Sequence, residues 1–246
     1  MYLKTIQANS LKVVFEVLKD IITDVNFVFT PDGISVCTLD TAHVTFVSMC
    51  LHHDNFEKYE CKTRTLAGMN MLNTFKILKA ITGTDTLTMV IGHSGETIDM
   101  EIENDVKKTM TKFKLKLLDI NDDIYDQPNI TMDCTTIVSS ALFQRIIRDM
   151  TNLADNVQIT RHTNKLSFKC DGDFVQQETD IECSDTIDYT ISESFSLKYI
   201  NMFIKASSIC SNIEINQSHN GPIAFKYSIA NLGHITFFLA PTTNDL

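Results

Sequence analysis

The sequence predicts an α+β chain of two similar domains, and three observations predict it. Four short helical segments fall into two matching pairs: Leu11–Asp20 is answered by Leu142–Asp149, and Phe75–Ala80 by Lys198–Ala206. Their ends correspond, Lys19-Asp20 with Arg148-Asp149 and Lys79-Ala80 with Lys205-Ala206, at offsets near half the chain length. Between the helices, apolar and polar residues alternate with period two, as in half-buried strands. Finally, Asp119–Asn129 is acidic, holds Pro128 and follows neither period, which marks a linker. The expected layout is a first domain over 1–117, a linker over 118–131 and a second domain over 132–246.

Taken in order, Met1–Ile6 alternates as a strand and lacks the layout of a signal peptide. At ~100° per residue, Val14, Val17, Leu18 and Ile21 of the first helix oppose Lys12 and Lys19. Strands Asn26–Phe29 and Ile34–Cys37 flank the turn residues Pro31-Asp32-Gly33, and Val44–Met49 continues the pattern. In the second helix Met71, Leu78 and Ile81 oppose Lys76 and Lys79. Thr86–Ile91 and Thr97–Ile102 read as strands around a His93-Ser94-Gly95 turn, and Thr111–Leu117 closes the first half. The second half repeats the order. Leu142, Phe143, Ile146, Ile147 and Met150 oppose Arg145 and Arg148; strands follow at Val157–Thr160 and Lys165–Phe168. Tyr199, Ile200, Phe203 and Ile204 then oppose Lys198 and Lys205, ahead of strands Asn212–Ile215 and Ala224–Ile229.

The 246 residues are 43% hydrophobic with four prolines, enough for a real core and little disorder. No apolar run approaches the ~20 residues that span a bilayer. Seven cysteines without a Cys-x-x-Cys pair read as free thiols in a reducing compartment. Catalysis has little to stand on. His52-His53-Asp54 lacks a partner at metal-ligand spacing, no cysteine cluster suits zinc, and Gly92–Gly95 reads as a turn rather than a phosphate cradle. The expectation is no enzyme, no metal and no cofactor, with His43 and His234 as structural or pocket residues.

Net charge is −10, which argues against unspecific coating of nucleic acid. Yet the four helices carry eight basic residues against three acids, Glu16, Asp20 and Asp149. On one helix, a basic residue opposite an apolar face is what any solvated face looks like. On all four, in an acidic chain, the arrangement predicts a common basic surface.

Four stretches carry a resemblance. They are Leu39-Asp40-Thr41-Ala42-His43-Val44; Leu66–Leu72 followed by Lys76–Ala80; Phe143-x-Arg145-Ile146-x-Arg148-Asp149; and Gly233-His234 followed by Phe237–Pro241. Through these, the chain resembles the eukaryotic and archaeal DNA sliding clamps of the proliferating cell nuclear antigen family over essentially its full length. The resemblance implies the DNA clamp fold, with two helices on curved antiparallel sheets in each domain. Three subunits would close head to tail into a ring, with the helices lining the hole. It implies a processivity factor of DNA replication and repair that encircles duplex DNA without reading its sequence. Lys12, Lys19, Lys76, Lys79, Arg145, Arg148, Lys198 and Lys205 would face the phosphates, a contact that carries no register and weakens with salt.

DNA polymerase, a clamp loader and other proteins would dock through a short peptide bearing a glutamine, an aliphatic residue and two aromatics. By residue match its pocket is Leu39, His43, Val44 and Phe46, then Tyr125 and Pro128 of the linker, then Pro222, Phe238, Ala240 and Pro241. Phe46, Tyr125 and Gln127 depart from the family's smaller or apolar residues. Thr163 stands at the position of the family's modified lysine, between Arg161 and Lys165. The subunit contact would pair Thr109–Leu117 with Phe174–Cys183 of the next chain. Lys112, Lys114 and Lys116 alternate on one strand beside Phe113, and Glu178, Asp180 and Glu182 on the other. Having both signs on one chain favours a homotrimer over a checkpoint-type or hetero-ring subunit, or a monomeric processivity factor. The expected location is the nucleus, or a viral replication compartment in the host cell.

Overall fold

Strand β1 (Tyr2–Thr5) leads into helix α1 (Ala8–Ile21), then β2 (Asp24–Thr30), β3 (Gly33–Leu39) and β4 (Thr45–His52). After a 3-10 turn at His53–Asn55 come β5 (Lys58–Glu60), β6 (Thr65–Asn70), helix α2 (Met71–Leu78), β7 (Thr86–Ile91), β8 (Thr97–Asn104) and β9 (Thr109–Lys116). The order repeats with β10 (Cys134–Ser139), α3 (Ser140–Thr151), β11 (Asn156–His162), β12 (Lys165–Asp171) and β13 (Gln176–Glu182). It ends with β14 (Thr190–Ser196), α4 (Leu197–Phe203), a 3-10 segment at Ile204–Ser208, β15 (Asn212–Gln217), β16 (Ile223–Ile229) and β17 (Gly233–Leu239). This computed structural model describes residues 1–92, 94–121, 125–126, 128 and 130–242. His93 of the expected turn, Asp122, Asp123, Ile124, Gln127 and Asn129 of the linker, and Thr243–Leu246 lie outside the described residues.

The chain packs as two units. The first comprises Met1–Thr41, Val47–Gln127 and Ser228–Ile235; the second comprises Ala42–Phe46, Pro128–Tyr227 and Thr236–Leu246. The start of the linker stays with the first unit because Leu118 bridges to Gly68 and donates its N–H to that carbonyl at 2.8 Å.

In the first unit, one sheet runs β5-β1-β7-β8-β9 with every pair antiparallel, and a second runs β4-β3-β2-β6. Helix α1 forms because Leu11, Val14, Phe15, Val17 and Leu18 recur at helical spacing and are all buried. Phe15 stacks on Phe27 with ring centroids 5.2 Å apart. Each such side chain stabilises the fold by about 1.5–3 kcal/mol relative to exposure. Helix α2 starts where the Asn70 side chain accepts the Asn73 N–H at 2.9 Å. It ends at Leu78, so Lys79 and Ala80 lie past the helix rather than on it, as the periodicity had suggested. The Lys12 ammonium donates to the Ile81 carbonyl at 2.9 Å and ties α1 to the segment that follows α2. The expected turn at Pro31–Gly33 holds for a steric reason: Gly33 has φ +145°, and a Cβ there would sit 2.0 Å from the Leu51 carbonyl oxygen.

In the second unit, one sheet runs β13-β12-β11-β14 and another β10-β15-β16-β17. Its core is aromatic. Phe143 of α3 packs against Phe225 at 5.4 Å and Phe168 at 5.9 Å, and Phe203 of α4 stacks on Phe237 at 4.7 Å. Phe143, Ile146, Ile147 and Met150 are buried as the wheel requires. The fourth helix is shorter than its periodicity suggested. The α-helical bonding stops at Phe203, and Lys205 sits on the 3-10 segment that follows. Gln144 donates to the Ile204 carbonyl at 3.1 Å and ties α3 to the 3-10 segment after α4, as Lys12 ties α1 to the segment after α2. All seven cysteines are free.

Asp85 closes the turn after α2 and is only 4% exposed. Burial works to raise its pKa. The hydrogen bonds it accepts from the Thr82 N–H (2.8 Å), the Thr82 hydroxyl (3.2 Å) and the Asn104 amide outweigh that and hold it below the ordinary carboxylate value. A depressed folded pKa contributes stability above the unfolded value that is lost as pH falls through the folded one. Asp85→Ala is therefore expected to cost about 1–3 kcal/mol at neutral pH. Its deficit against the wild type should shrink below roughly pH 4, which urea unfolding at pH 7 and pH 3 will measure.

Candidate functional site

The eight basic residues divide by what they already touch. Lys76, Lys79, Arg145, Arg148, Lys198 and Lys205 are exposed, whereas Lys12 and Lys19 are half-buried. Lys12 is committed to the Ile81 carbonyl. Lys19 pairs with Asp20 at 2.8 Å and lies over the Phe75 ring at 5.1 Å. Lys76 reaches Asn73 at 3.3 Å, and Lys198 lies 5.7 Å above the Tyr199 ring. Lys12 and Lys19 thus brace α1, while the other six present charge to solvent. The spacing alone could not distinguish them, because a helical wheel shows a direction but not the neighbour waiting there.

Eight of the ten residues expected at the peptide pocket belong to the second unit. The Phe46 and Phe238 rings meet edge to face at 6.0 Å, and the Val44 carbonyl accepts the Ala240 N–H at 3.1 Å. This leaves Ala240 exposed, Pro241 half-buried and Phe238 8% exposed. Thr242 donates its N–H to the Ser194 carbonyl at 2.8 Å. Beside them, His43 is exposed in the left-handed region, φ 57°, a conformation that costs a non-glycine residue energy and often marks a working site. Pro128 is half-buried, and Pro222 sits in the turn before β16, where its carbonyl accepts the Ser218 hydroxyl at 3.1 Å. Leu39 and Tyr125 belong to the first unit. There Tyr125 lines a cavity of about 290 Å³ with Cys37, Thr38, Cys50 and Arg64.

The expected contact strands are both edges. Among the described residues, β9 pairs only with β8 and β13 only with β12. Half of their charges, however, are met within the chain: Lys112, Lys114 and Asp180. Lys112 pairs with Glu101 at 2.6 Å and Lys114 with Asp99 at 3.4 Å, directly across the β8–β9 ladder. Lys165 pairs with Asp180 at 2.9 Å. The Ser167 hydroxyl and that lysine hold the Asp180 carboxyl below its ordinary pKa. Lys116, Glu178 and Glu182 are exposed, and Phe113 is half-buried on the opposite face.

Two family descriptions match this chain end to end: "Proliferating cell nuclear antigen, N-terminal domain" over residues 1–126 and "Proliferating cell nuclear antigen, C-terminal domain" over residues 126–242. The chain belongs to the proliferating cell nuclear antigen family. It is 33% identical over 253 residues to the probable DNA polymerase sliding clamp 1 of Paramecium bursaria Chlorella virus 1, covering 98% of this chain and 96% of that one. It is 30% identical over 250 residues to the proliferating cell nuclear antigen of Chaetomium thermophilum, covering 97% and 96%. The chain is a DNA sliding clamp, from a family of non-catalytic processivity factors of DNA replication.

This clamp has an unusual support beneath Thr163. Thr163 is exposed at the tip of the β11–β12 turn, with φ 46°. Below it the Arg161 guanidinium is 0% exposed and donates to the carbonyls of Thr163, Lys165 (3.4 Å) and Asp185 (2.9 Å), with the Asp185 carboxylate at 3.1 Å. The sequence sets Arg161 beside Thr163 but gives no sign of its burial, since arginine is almost never fully buried unless paired. Arg161→Met keeps the bulk and removes the donors. It should cost roughly 1–3 kcal/mol, seen as a lower melting temperature and faster proteolysis at 163–187.

Proposed function

We propose that this clamp closes as a homotrimer around duplex DNA and slides on it without sequence preference. One observation carries the reading: in a chain of net charge −10, six exposed basic residues lie on or beside three of the four helices, α2, α3 and α4. Lysines and arginines attract phosphate wherever it lies, and such contact has no preferred register. An acidic remainder repels the same phosphates and confines DNA to the helix side. Subunits join edge to edge, β9 of one chain to β13 of the next, so that backbone groups bare in the monomer become paired. That both complementary edges occur on one chain supports self-assembly over a mixed ring. The clamp works where DNA is copied, in the nucleus or in a viral replication compartment, and a clamp loader opens it.

Partners, DNA polymerase among them, bind by a peptide with paired aromatics at the Phe46–Phe238 cluster. The support is the Phe46–Phe238 ring pair, with His43 in the left-handed region nearby and Thr242 held on Ser194. Phe46 fills space at this cluster, so the site has less room for a large aliphatic anchor than for an aromatic pair.

Two measurements test this. Alanine at Lys76, Lys79, Arg145, Arg148, Lys198 and Lys205 together should reduce loader-assisted retention on closed circular DNA and flatten its salt dependence. Alanine at Lys12 or Lys19 should lower stability more than retention. Retention equal to wild type in the six-fold variant would remove the DNA assignment. Calorimetry with a peptide carrying two adjacent aromatics should show binding that weakens at least ~10-fold in Phe46→Ala, the loss expected when one ring's contact is removed. Undiminished binding would move the peptide site elsewhere.

A further inference from the structure

Phe174 is the most exposed aromatic of the second unit, at 80%, and it sits on the tip of the β12–β13 hairpin. The tip is rigid. Gly172 donates its N–H to the Val175 carbonyl at 3.0 Å, and its Cα lies so near Leu153 that a Cβ would come within 1.9 Å of that carbonyl oxygen. A ring held out on a fixed turn can anchor a contact with little ordering cost.

A matching hollow lies in the first unit, just past the end of β9. It is a cavity of about 330 Å³ with Leu66, Leu117, Leu118 and Ile120 on its apolar side and Asn26, Glu96 and Asp119 on its polar side. Leu66 and Leu118 are each 43% exposed there. Its walls are pinned: Leu118 N–H to the Gly68 carbonyl (2.8 Å), Leu117 N–H to the Glu96 carbonyl (2.9 Å), and the Asn26 amide to the Ile120 carbonyl (3.0 Å).

Register brings the two together. The ladders of both edge sheets are antiparallel, so an added strand continues them as antiparallel. Setting the lysine row against the carboxylate row places Lys114 opposite Asp180, Lys112 opposite Glu182 and Lys116 opposite Glu178. Counting on by twos, Gln176 faces Leu118 and Phe174 faces Ile120, at the hollow. A shift of two residues, which keeps every side chain on its face, brings Phe174 to Leu118, another wall of the same hollow. The charges themselves add little, because Lys112, Lys114 and Asp180 already have partners in their own chain.

We infer that Phe174 of one copy inserts into the Leu66–Leu118 hollow of the next, and that this apolar anchor sets the affinity of the contact. The inference rests on the trimer proposed above. Sedimentation equilibrium over a dilution series tests it with wild type, Phe174→Ala, and a variant with glutamine at Lys112, Lys114 and Lys116. Phe174→Ala should weaken association roughly 10- to 100-fold per contact, and the glutamine variant by much less. Because Phe174 is exposed, its alanine variant should melt as the wild-type monomer does. Oxidation of the double variant Phe174→Cys, Leu66→Cys should give covalently linked chains that neither single variant gives. If the wild type is a trimer and Phe174→Ala assembles equally well, the anchor is wrong and the trimer stands. If Phe174→Cys links to Val106→Cys instead, the strands run parallel and the socket is wrong. If the wild type is a monomer at every concentration, the trimer reading falls and takes the anchor with it.

Discussion

Each unit depends on sealing one apolar face of its sheets with a pair of helices. The seal is made by Val14, Val17 and Leu18 in the first unit and by Phe143, Ile147 and Phe203 in the second, all fully buried. At about 1.5–3 kcal/mol for each buried side chain, this packing outweighs any surface ion pair, for which about 0–1 kcal/mol is typical. Packing therefore fixes the rotation of each helix, and the charged residues take the directions that remain. Electrostatics decides what stands on the outward side of a helix, but not which side is outward. Two of the basic residues, Lys12 and Lys19, have been drawn into the packing itself, one onto a carbonyl and one onto an aromatic face.

The same division of labour holds at the sheet edges. The β8 carboxylates at Asp99 and Glu101 stand opposite Lys114 and Lys112 of β9, so the ladder neutralises two of its three lysines. What the edge offers outward is unpaired backbone and, just beyond the strand, a hollow with Leu66, Leu118 and Ile120 on one side. Directional hydrogen bonds specify that a strand can be added there. Burial of side chains determines how firmly.

Much of this was legible in the residues, and the exceptions have physical causes. The four helices followed from period 3.6 and most strands from period two. Strand β6 did not, because Leu66-Ala67-Gly68-Met69 is an apolar run that reads equally well as the approach to a helix. The break at Phe203 was hidden because Ile204 stays buried after the α-helical bonding ends. Lys112 and its neighbours were legible as a charged row, but their partners were not. That needed the β8–β9 register, which joins residues many positions apart. The Phe46–Phe238 pair likewise spans most of the chain, and only the family resemblance pointed to it.

The Arg161 support has a practical side. It grips the β11–β12 turn through main-chain oxygens, so the side chain at 163 plays no part in the grip. A left-handed backbone suits a β-branched residue poorly, and an unbranched replacement for Thr163 relieves that strain instead of adding to it. Position 163 is thus a natural grafting point. A lysine or cysteine placed there would carry a dye, a crosslinker or a bulky adduct into solvent on a stiff stalk, with nothing beneath it asked to move.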